Sequence, residues 1–490
     1  MKFFYTTINL PIIFRLIGWL VAIEGLFMLG PLAASLVWME PDWPVFAITC
    51  GSCILVGMLM ARFIRSKTRD MGKREGFLLT ALVWLVFSFV GMIPFMLCEE
   101  HLSFTDAFFE SMSGFTTTGA TIVKDVEKLS HGILLWRAEM NWIGGMGIIL
   151  FTLAVTPMLN HSGGMQMFNA EVTGITHEKL RPRVSSNAKG LWGIYAGLTV
   201  ILTLLLWLGP MDFFDAICHA FSTISTGGFS THNNSLGFFN STYLQIVFVV
   251  FMFLGGVNFT LLFRALTGNF KALFKNETFV WFCRIILAVY LCFVLTIVIT
   301  GHFTGIASVT IDPLFMVIST ISSTGLIVPN FDLWGPLCVA LLFVLMATGA
   351  CAGSTSGGAK IDRFLFIFKS LYNEIYRLVH PNAVLVVRIN EKAYPDAMIT
   401  KVLAFLSLYV LVMLFGGILL TAMGVPVLDA FFSAFSCIGN TGIGAHITGY
   451  GSGYDVLPDA GKWVLSFVML TGRLEIFTIL ILFTKGFWTK

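Results

Sequence analysis

Four segments of the chain repeat one chemical pattern. Aligned without gaps they read Asp106-AFFESMSGFTTT-Gly119, Asp215-AICHAFSTISTG-Gly228, Asp312-PLFMVISTISST-Gly325 and Asp429-AFFSAFSCIGNT-Gly442. Each places a Gly thirteen residues after an Asp, with a Ser six residues before that Gly: Ser113, Ser222, Ser319 and Ser436. The residue just ahead of the Gly is Thr118, Gly227, Thr324 or Thr441. Small residues of this kind suit a carbonyl-lined cation site. Peptide oxygens replace the water around a dehydrated ion, and Gly accepts dihedrals that a Cβ resists. No Asp or Glu lies between the Ser and the Gly of any copy. That absence favours a monovalent ion held by carbonyl dipoles over a divalent ion held by a carboxylate ring. The candidate ion-binding residues are therefore Thr117, Thr118, Gly119, Thr226, Gly227, Gly228, Ser323, Thr324, Gly325, Asn440, Thr441 and Gly442.

Such oxygens need elements to hold them. Asp is a good N-cap, so a helix is expected to start just after each Asp. About ten residues at 1.5 Å each reach ~15 Å, half of a ~30 Å hydrocarbon layer. Each helix would dip halfway and aim its C-terminal end, about half a negative charge, at the midplane. Non-helical backbone at that depth must be buried in protein or line a wet cavity, which four segments facing one axis would achieve. The plainer alternative is four re-entrant hairpins that only pack the fold.

The composition demands a membrane. Of 490 residues 57% are hydrophobic and 12% charged, with a mean hydropathy of +0.85. Soluble proteins carry about 25% charged residues, which disfavours a soluble enzyme and excludes a disordered chain. A net charge of +3 gives no footprint for nucleic acid. Apolar stretches of spanning length lie near 11–38, 43–62, 76–98, 133–158, 190–209, 243–266, 279–301, 334–359, 397–424 and 461–486. The first begins at Pro11 and reads as a retained span. Lys and Arg gather in 62–75, 160–189, 264–278 and 360–401 and near both ends, against Lys124, Lys128 and Lys462 on the other side. Both termini are therefore expected in the cytoplasm. The expected fold is an all-α integral membrane protein. Ten transmembrane helices and four re-entrant pore helices form four pseudo-symmetric helix–pore loop–helix repeats around one central ion pore. The units are 1–75 (an N-terminal two-helix unit), 76–175, 176–278, 279–396 (with a gate loop and a cytoplasmic helix) and 397–490.

The span near 334–359 ends in ATGACAGSTSGGAK. Gly349, Gly353, Gly357 and Gly358, with Ser354, Thr355 and Ser356 among them, disfavour a regular helix by roughly 1 kcal/mol per interior Gly. A loop is expected there, ahead of Lys360; a small-residue helix contact is the alternative. Arg473 falls mid-span in the last apolar run, with Glu475 two residues on. An ionisable group at that depth faces a cavity or a partner. Arg473 either opposes the loop below the four segments, as a barrier to cations, or neutralises a buried carboxylate. Arg137 and Glu139 read as interfacial anchors, Glu110 and His219 as packing or hydrogen-bonding groups. The amphipathic stretch 361–380, stopped by Pro381, lies on the membrane surface or docks a partner.

With TTTGAT at 116–121, STGGFS at 225–230, SSTG at 322–325 and GNTGIG at 439–444, the chain resembles the Trk/Ktr/HKT superfamily of potassium transporters, most closely its bacterial TrkH branch. WIGGMG at 142–147, GSTSGG at 353–358, His380-Pro381 and GRLE at 472–475 extend the resemblance from about residue 11 to the end. It implies K⁺ uptake as part of a Trk system of the bacterial inner membrane. The twelve residues named above would form the selectivity filter, with K⁺ as the transported ion. The loop over Gly349, Gly353–Gly358 and Lys360, with Arg473, would be an intramembrane gate. A homodimer with one pore per chain and a cytosolic TrkA-type nucleotide-binding regulatory subunit are implied as well. The residue after each filter Gly differs (Ala120, Phe229, Leu326, Ile443), so a poorly selective K⁺/Na⁺ channel stays open. So does a proton- or sodium-coupled symporter.

Other chemistries find little support. An intramembrane serine hydrolase built on Gly353–Gly357 needs a base within reach, and the last span holds no His. Inverted repeats would suit a secondary transporter, but the four units share one orientation. The nine Cys are scattered in apolar runs, and Cys50 with Cys53 reads as buried packing. The His residues are not spaced as a metal set. No P-loop is present, so a nucleotide effect must come from another chain.

Overall fold

The computed structural model describes residues 8–64, 71–147, 184–301, 305–328, 331–390, 392–444, 448 and 453–488. The second half of the 133–158 stretch, Arg65, Lys67, Arg69, Lys179, Arg181, Arg183, His161, His177, His302 and His446 fall outside these. Three helices form the N-terminal unit: α1 (Leu10–Phe27), α2 (Leu29–Val37) and α3 (Trp43–Phe63). α1 and α3 meet through small residues, since a Cβ on Gly57 would lie 2.5 Å from the Gly18 carbonyl oxygen. Small residues of this kind let helix backbones approach closely in a bilayer.

Four repeats follow, each a long helix, a short helix and a truncated helix. They are α4 (Lys73–Gly91), α5 (Phe104–Phe115) and α6 (His131–Gly145); then α7 (Val184–Trp207), α8 (Phe213–Ile224) and α9 (Thr242–Gly256). The third comprises α10 (Glu277–Thr300), α11 (Ile306–Ile321) and α12 (Pro336–Thr348). After the amphipathic α13 (Ile361–Val379) the fourth comprises α14 (Asp396–Ala422), α15 (Val427–Ile438) and α16 (Asp459–Arg473). Each truncated helix packs on the short helix of the next repeat: α6 on α8, α9 on α11, α12 on α15, and α16 back on α5. The chain thereby closes into a ring with the short helices inside.

The described helices add detail to these expectations. Among the described residues only six helices are long and apolar enough to span, and two further candidates are bent pairs. Thr242–Gly256 turns by 109° into Phe259–Leu266, and Asp459–Arg473 by 110° into Phe477–Phe483. Arg473 thus stands at the break of the second pair, as the last residue of its first helix. The apolar runs were continuous in composition, but Gly255-Gly256 and Gly472 interrupt them. A short hairpin accompanies the helices, in which Val387–Ile389 pairs antiparallel with Lys392–Tyr394. That hairpin packs Val387 and Ile389 on Leu365 and Phe366 of α13 and on Val402 of α14.

Candidate ion-conduction site

The four short helices end identically. The Ser at the third-last helical position offers its carbonyl to the N–H of the residue before the repeat Gly. Thr118, Gly227, Thr324 and Thr441 donate to Ser113, Ser222, Ser319 and Ser436 at 2.8–2.9 Å. One residue earlier, Thr117, Thr226, Ser323 and Asn440 donate to Gly114, Thr223, Thr320 and Cys437 at 3.0–3.2 Å. This is the Schellman pairing, in which the donor of the shorter bond pattern takes a left-handed conformation. Thr117, Thr226, Ser323 and Asn440 have φ of 53°, 56°, 55° and 50°. None is Gly, and a left-handed non-Gly residue costs about 1–3 kcal/mol; the surrounding ring holds it. The Asp starts differ from expectation. Ser103 and Asp212 cap α5 and α8, while Asp106, Asp215 and Asp429 lie in the first turn. Asp312 lies deeper, because α11 starts upstream at Ile306.

The repeat glycines then resume positive φ, between 75° and 79°. A Cβ on Gly119 would sit 2.2 Å from the Gly227 carbonyl oxygen. Gly228 faces Thr324 O at 2.0 Å, Gly325 faces Thr441 O at 1.9 Å, and Gly442 faces Thr118 O at 2.1 Å. Each Gly thus accommodates the carbonyl of the residue preceding the Gly of the next strand, and the circuit closes on itself. The twelve candidate residues are brought together around one axis. Backbone dictates Gly here twice over, by φ and by space.

Outside the ring, one cavity is lined by all four of these glycines. Its wall holds a buried ion pair. Arg137 Nε donates to Glu110 Oε1 at 2.8 Å, with side chains 2% and 0% exposed. Arg137 also donates to Thr121 Oγ1 and the Ser230 carbonyl, and Glu110 accepts from Thr121 and from the Ile122 N–H. The pair braces the chain after strands 1 and 2, so Arg137 is not the interfacial anchor expected; nor is Glu139, which is also buried. Hydropathy alone missed this because the partner sits twenty-seven residues upstream. His219 meets Ser230 Oγ at 3.0 Å, in line with a hydrogen-bonding role.

Beneath the ring lies the loop between α12 and α13. Gly349, Gly353 and Gly358 have positive φ. The Gly357 N–H donates to Ser323 Oγ at 2.6 Å, and a Cβ on Gly357 would lie 2.2 Å from the Gly439 carbonyl oxygen. Thr355 Oγ1 donates to the carbonyls of Ile224 and Gly255 at 3.1 and 3.2 Å. Ser354 and Ser356 hydroxyls meet at 3.0 Å. Lys360, itself left-handed, turns its ammonium back onto the Ser356 carbonyl. Arg473 donates to Thr355 O at 2.9 Å and to Gly144 O at 2.7 Å. Glu475 pairs with Arg363. The loop therefore touches the ends of α8, α9 and α15 and the third strand directly beneath the ring.

Of the glycines that break the truncated helices, Gly349 is a candidate from the sequence, whereas Gly144, Gly255 and Gly472 are not. A Cβ on Gly144 would lie 1.9 Å from Phe115 O, and one on Gly472 2.1 Å from Ile438 O. A Gly at equivalent places of each repeat (144, 255, 349 and 472) was a readable signal.

The TrkH family, described as cation transport protein, matches residues 44–488. The chain belongs to the TrkH family. The Trk system potassium uptake protein TrkH of Escherichia coli K12 is 36% identical over 97% of this chain and 99% of its own length. TrkH of Vibrio parahaemolyticus is 37% identical, and TrkG of E. coli K12 is 34% identical over 98% of this chain. The crystal structure of the potassium transporter TrkH from V. parahaemolyticus superposes with a TM-score of 0.88, covering 98% of this chain and 100% of that one. Membership makes the chain a multi-pass membrane transporter. The ring lies where the four repeats of this chain converge.

Proposed function

We propose that the chain mediates K⁺ uptake across the bacterial cytoplasmic membrane, through the ring of strands at Thr117–Gly119, Thr226–Gly228, Ser323–Gly325 and Asn440–Gly442. The observation that carries this reading is the closed circuit of Gly against carbonyl around one axis. Preorganised peptide oxygens there would replace a hydration shell. The relatives named above are potassium uptake proteins, which favours K⁺ as the ion. The loop 349–360 meets Ser323 and Gly439 beneath the ring and is bonded to Arg473, which supports its reading as the gate. The exposed apolar face of α13, with Phe368, Leu371, Tyr372, Ile375 and Leu378, supports docking of a second copy and of a TrkA-type regulatory subunit. Both termini then lie in the cytoplasm, with units 1–75, 76–175, 176–278, 279–396 and 397–490 as the organising pieces. ⁸⁶Rb⁺ or K⁺ uptake into liposomes holding the purified chain, with and without a proton gradient, tests the reading. Uptake that follows the K⁺ gradient alone is expected. Uptake only with a proton or Na⁺ gradient would replace it by a symporter, and a K⁺/Na⁺ permeability ratio near one by an unselective channel.

A further inference from the structure

The four strands are not braced alike. In strand 1 the hydroxyls of Thr116 and Thr118 meet at 2.8 Å, and in strand 3 those of Ser322 and Thr324 meet at 2.7 Å. Strand 4 carries Thr441, and the neighbouring Asn440 amide crosses to Thr118 Oγ1 at 3.0 Å. Strand 2 has Ser225 but then Gly227, the only one of the four positions before the repeat Gly without a side chain. Gly227 is not left-handed, unlike Gly228. Its backbone would accept a side chain, so the reason for Gly must be space. The three atoms nearest a Cβ placed there all belong to Asn141: Cγ at 2.4 Å, Nδ2 at 2.5 Å and Cβ at 2.8 Å.

Asn141 lies on α6, one turn before Gly145, whose own missing Cβ faces Ser225 of the same strand. It is fully buried, and neither amide atom meets a protein partner among the described residues. Burying an amide in this way is costly where an apolar residue of similar volume would serve. Apolar residues do serve at matching places of other repeats. A Cβ on Gly144 or Gly472 would crowd the last carbonyl of its own short helix, at 1.9 and 2.1 Å, and one on Gly255 would meet that of α8 at 3.7 Å. Three residues upstream of them stand Asn141, Met252 and Met469. The amide occurs where the next strand has Gly227; Met occurs where the next strand has Thr324 or Thr118.

We propose that Asn141 is a positioning residue for the second strand. It supplies from α6 the polar side chain that Gly227 lacks, and so contributes to discrimination among alkali cations. The inference rests on the filter reading above. Its test uses the full chain in liposomes, with reversal potentials in opposed K⁺ and Na⁺ gradients and a melting curve for each variant. Asn141→Ala should lower the K⁺/Na⁺ permeability ratio by roughly threefold or more, as expected of coupled neighbours. Gly227→Thr should nearly abolish flux through its clash with Asn141. The pair should recover both, because Thr at 227 can then meet Ser225 as Thr324 meets Ser322. An unchanged ratio in Asn141→Ala, normal flux in Gly227→Thr, or no recovery in the pair would overturn the proposal. If Asn141→Ala and the pair both fail to fold, Asn141 serves the fold alone and the proposal is overturned as well. Gly228→Ala separates the two levels. Unchanged flux there removes the filter reading itself, whereas lost flux there with an unaffected Asn141→Ala removes only the present inference.

Discussion

Arg473 Nη1 donates to the Thr355 carbonyl at 2.9 Å, tying the broken end of α16 to the loop beneath the ring. The same guanidinium reaches Gly144 O at 2.7 Å, so one side chain joins repeats 1, 3 and 4. A charged donor makes these bonds the strong kind, about 1.5–3 kcal/mol each.

Removing that tie should free the loop. Arg473→Ala is expected to raise ⁸⁶Rb⁺ flux by about tenfold, the factor that about 1.4 kcal/mol gives. A deletion within 351–357 should do the same through the loop itself. Folded protein with unchanged flux in both would leave the loop as packing.

Gly325→Ala should abolish uptake while leaving helix content intact. Its Cβ would fall 1.9 Å from Thr441 O, at a φ of 79° that L residues resist. Gly268→Ala is the control, since its φ of 103° strains a side chain equally but nothing lies within 4 Å. Loss of flux in the first and not the second, measured at matched expression, is the expected pattern.

The ring was legible in the sequence because its cause is local: a Gly is needed wherever a neighbouring carbonyl intrudes, and the need recurs four times. The loop at 349–358 was legible for the same reason. What escaped was relational. Arg137 looked like an interfacial cation because its partner Glu110 lies on another helix. The breaks at Gly256 and Arg473 hid inside runs whose hydropathy never falls. Asn141 resembled any polar residue on a helix until the missing side chain of Gly227 was placed beside it. The hairpin at 387–394 is stabilised by α13 and α14 and carries little strand signal of its own.

Arg137 and Glu110 should be far costlier to separate than to remove together. Taking one partner of a buried pair leaves the other charge desolvated, at about 3–5 kcal/mol. Arg137→Met should therefore lower the detergent melting temperature sharply. Arg137→Met with Glu110→Leu should recover much of the loss, although the Thr121 and Ile122 donors that Glu110 satisfies remain unmet. Equal melting of the single and double variants would mean that the pair contributes only through those donors.

His232 should make the chain after strand 2 responsive to pH. Burial opposes its charging, but Asp215 Oδ2 at 3.0 Å and Glu127 Oε1 at 3.4 Å prevail, and its pKa is raised above the ordinary 6.5. The ring also stacks on Phe238 at 3.7 Å and lies near His219, whose charge would oppose its own. A raised folded pKa means that the stabilising link is complete below the unfolded value and is lost as pH climbs through the folded one. Amide hydrogen exchange at 231–239, corrected for the intrinsic rate, should therefore be slow at acidic pH and quicken above neutrality. His232→Gln should flatten that dependence at the faster level. A wild-type segment whose corrected exchange ignores pH would show that Asp215 is held by Thr231 alone, whose hydroxyl donates to it at 2.7 Å.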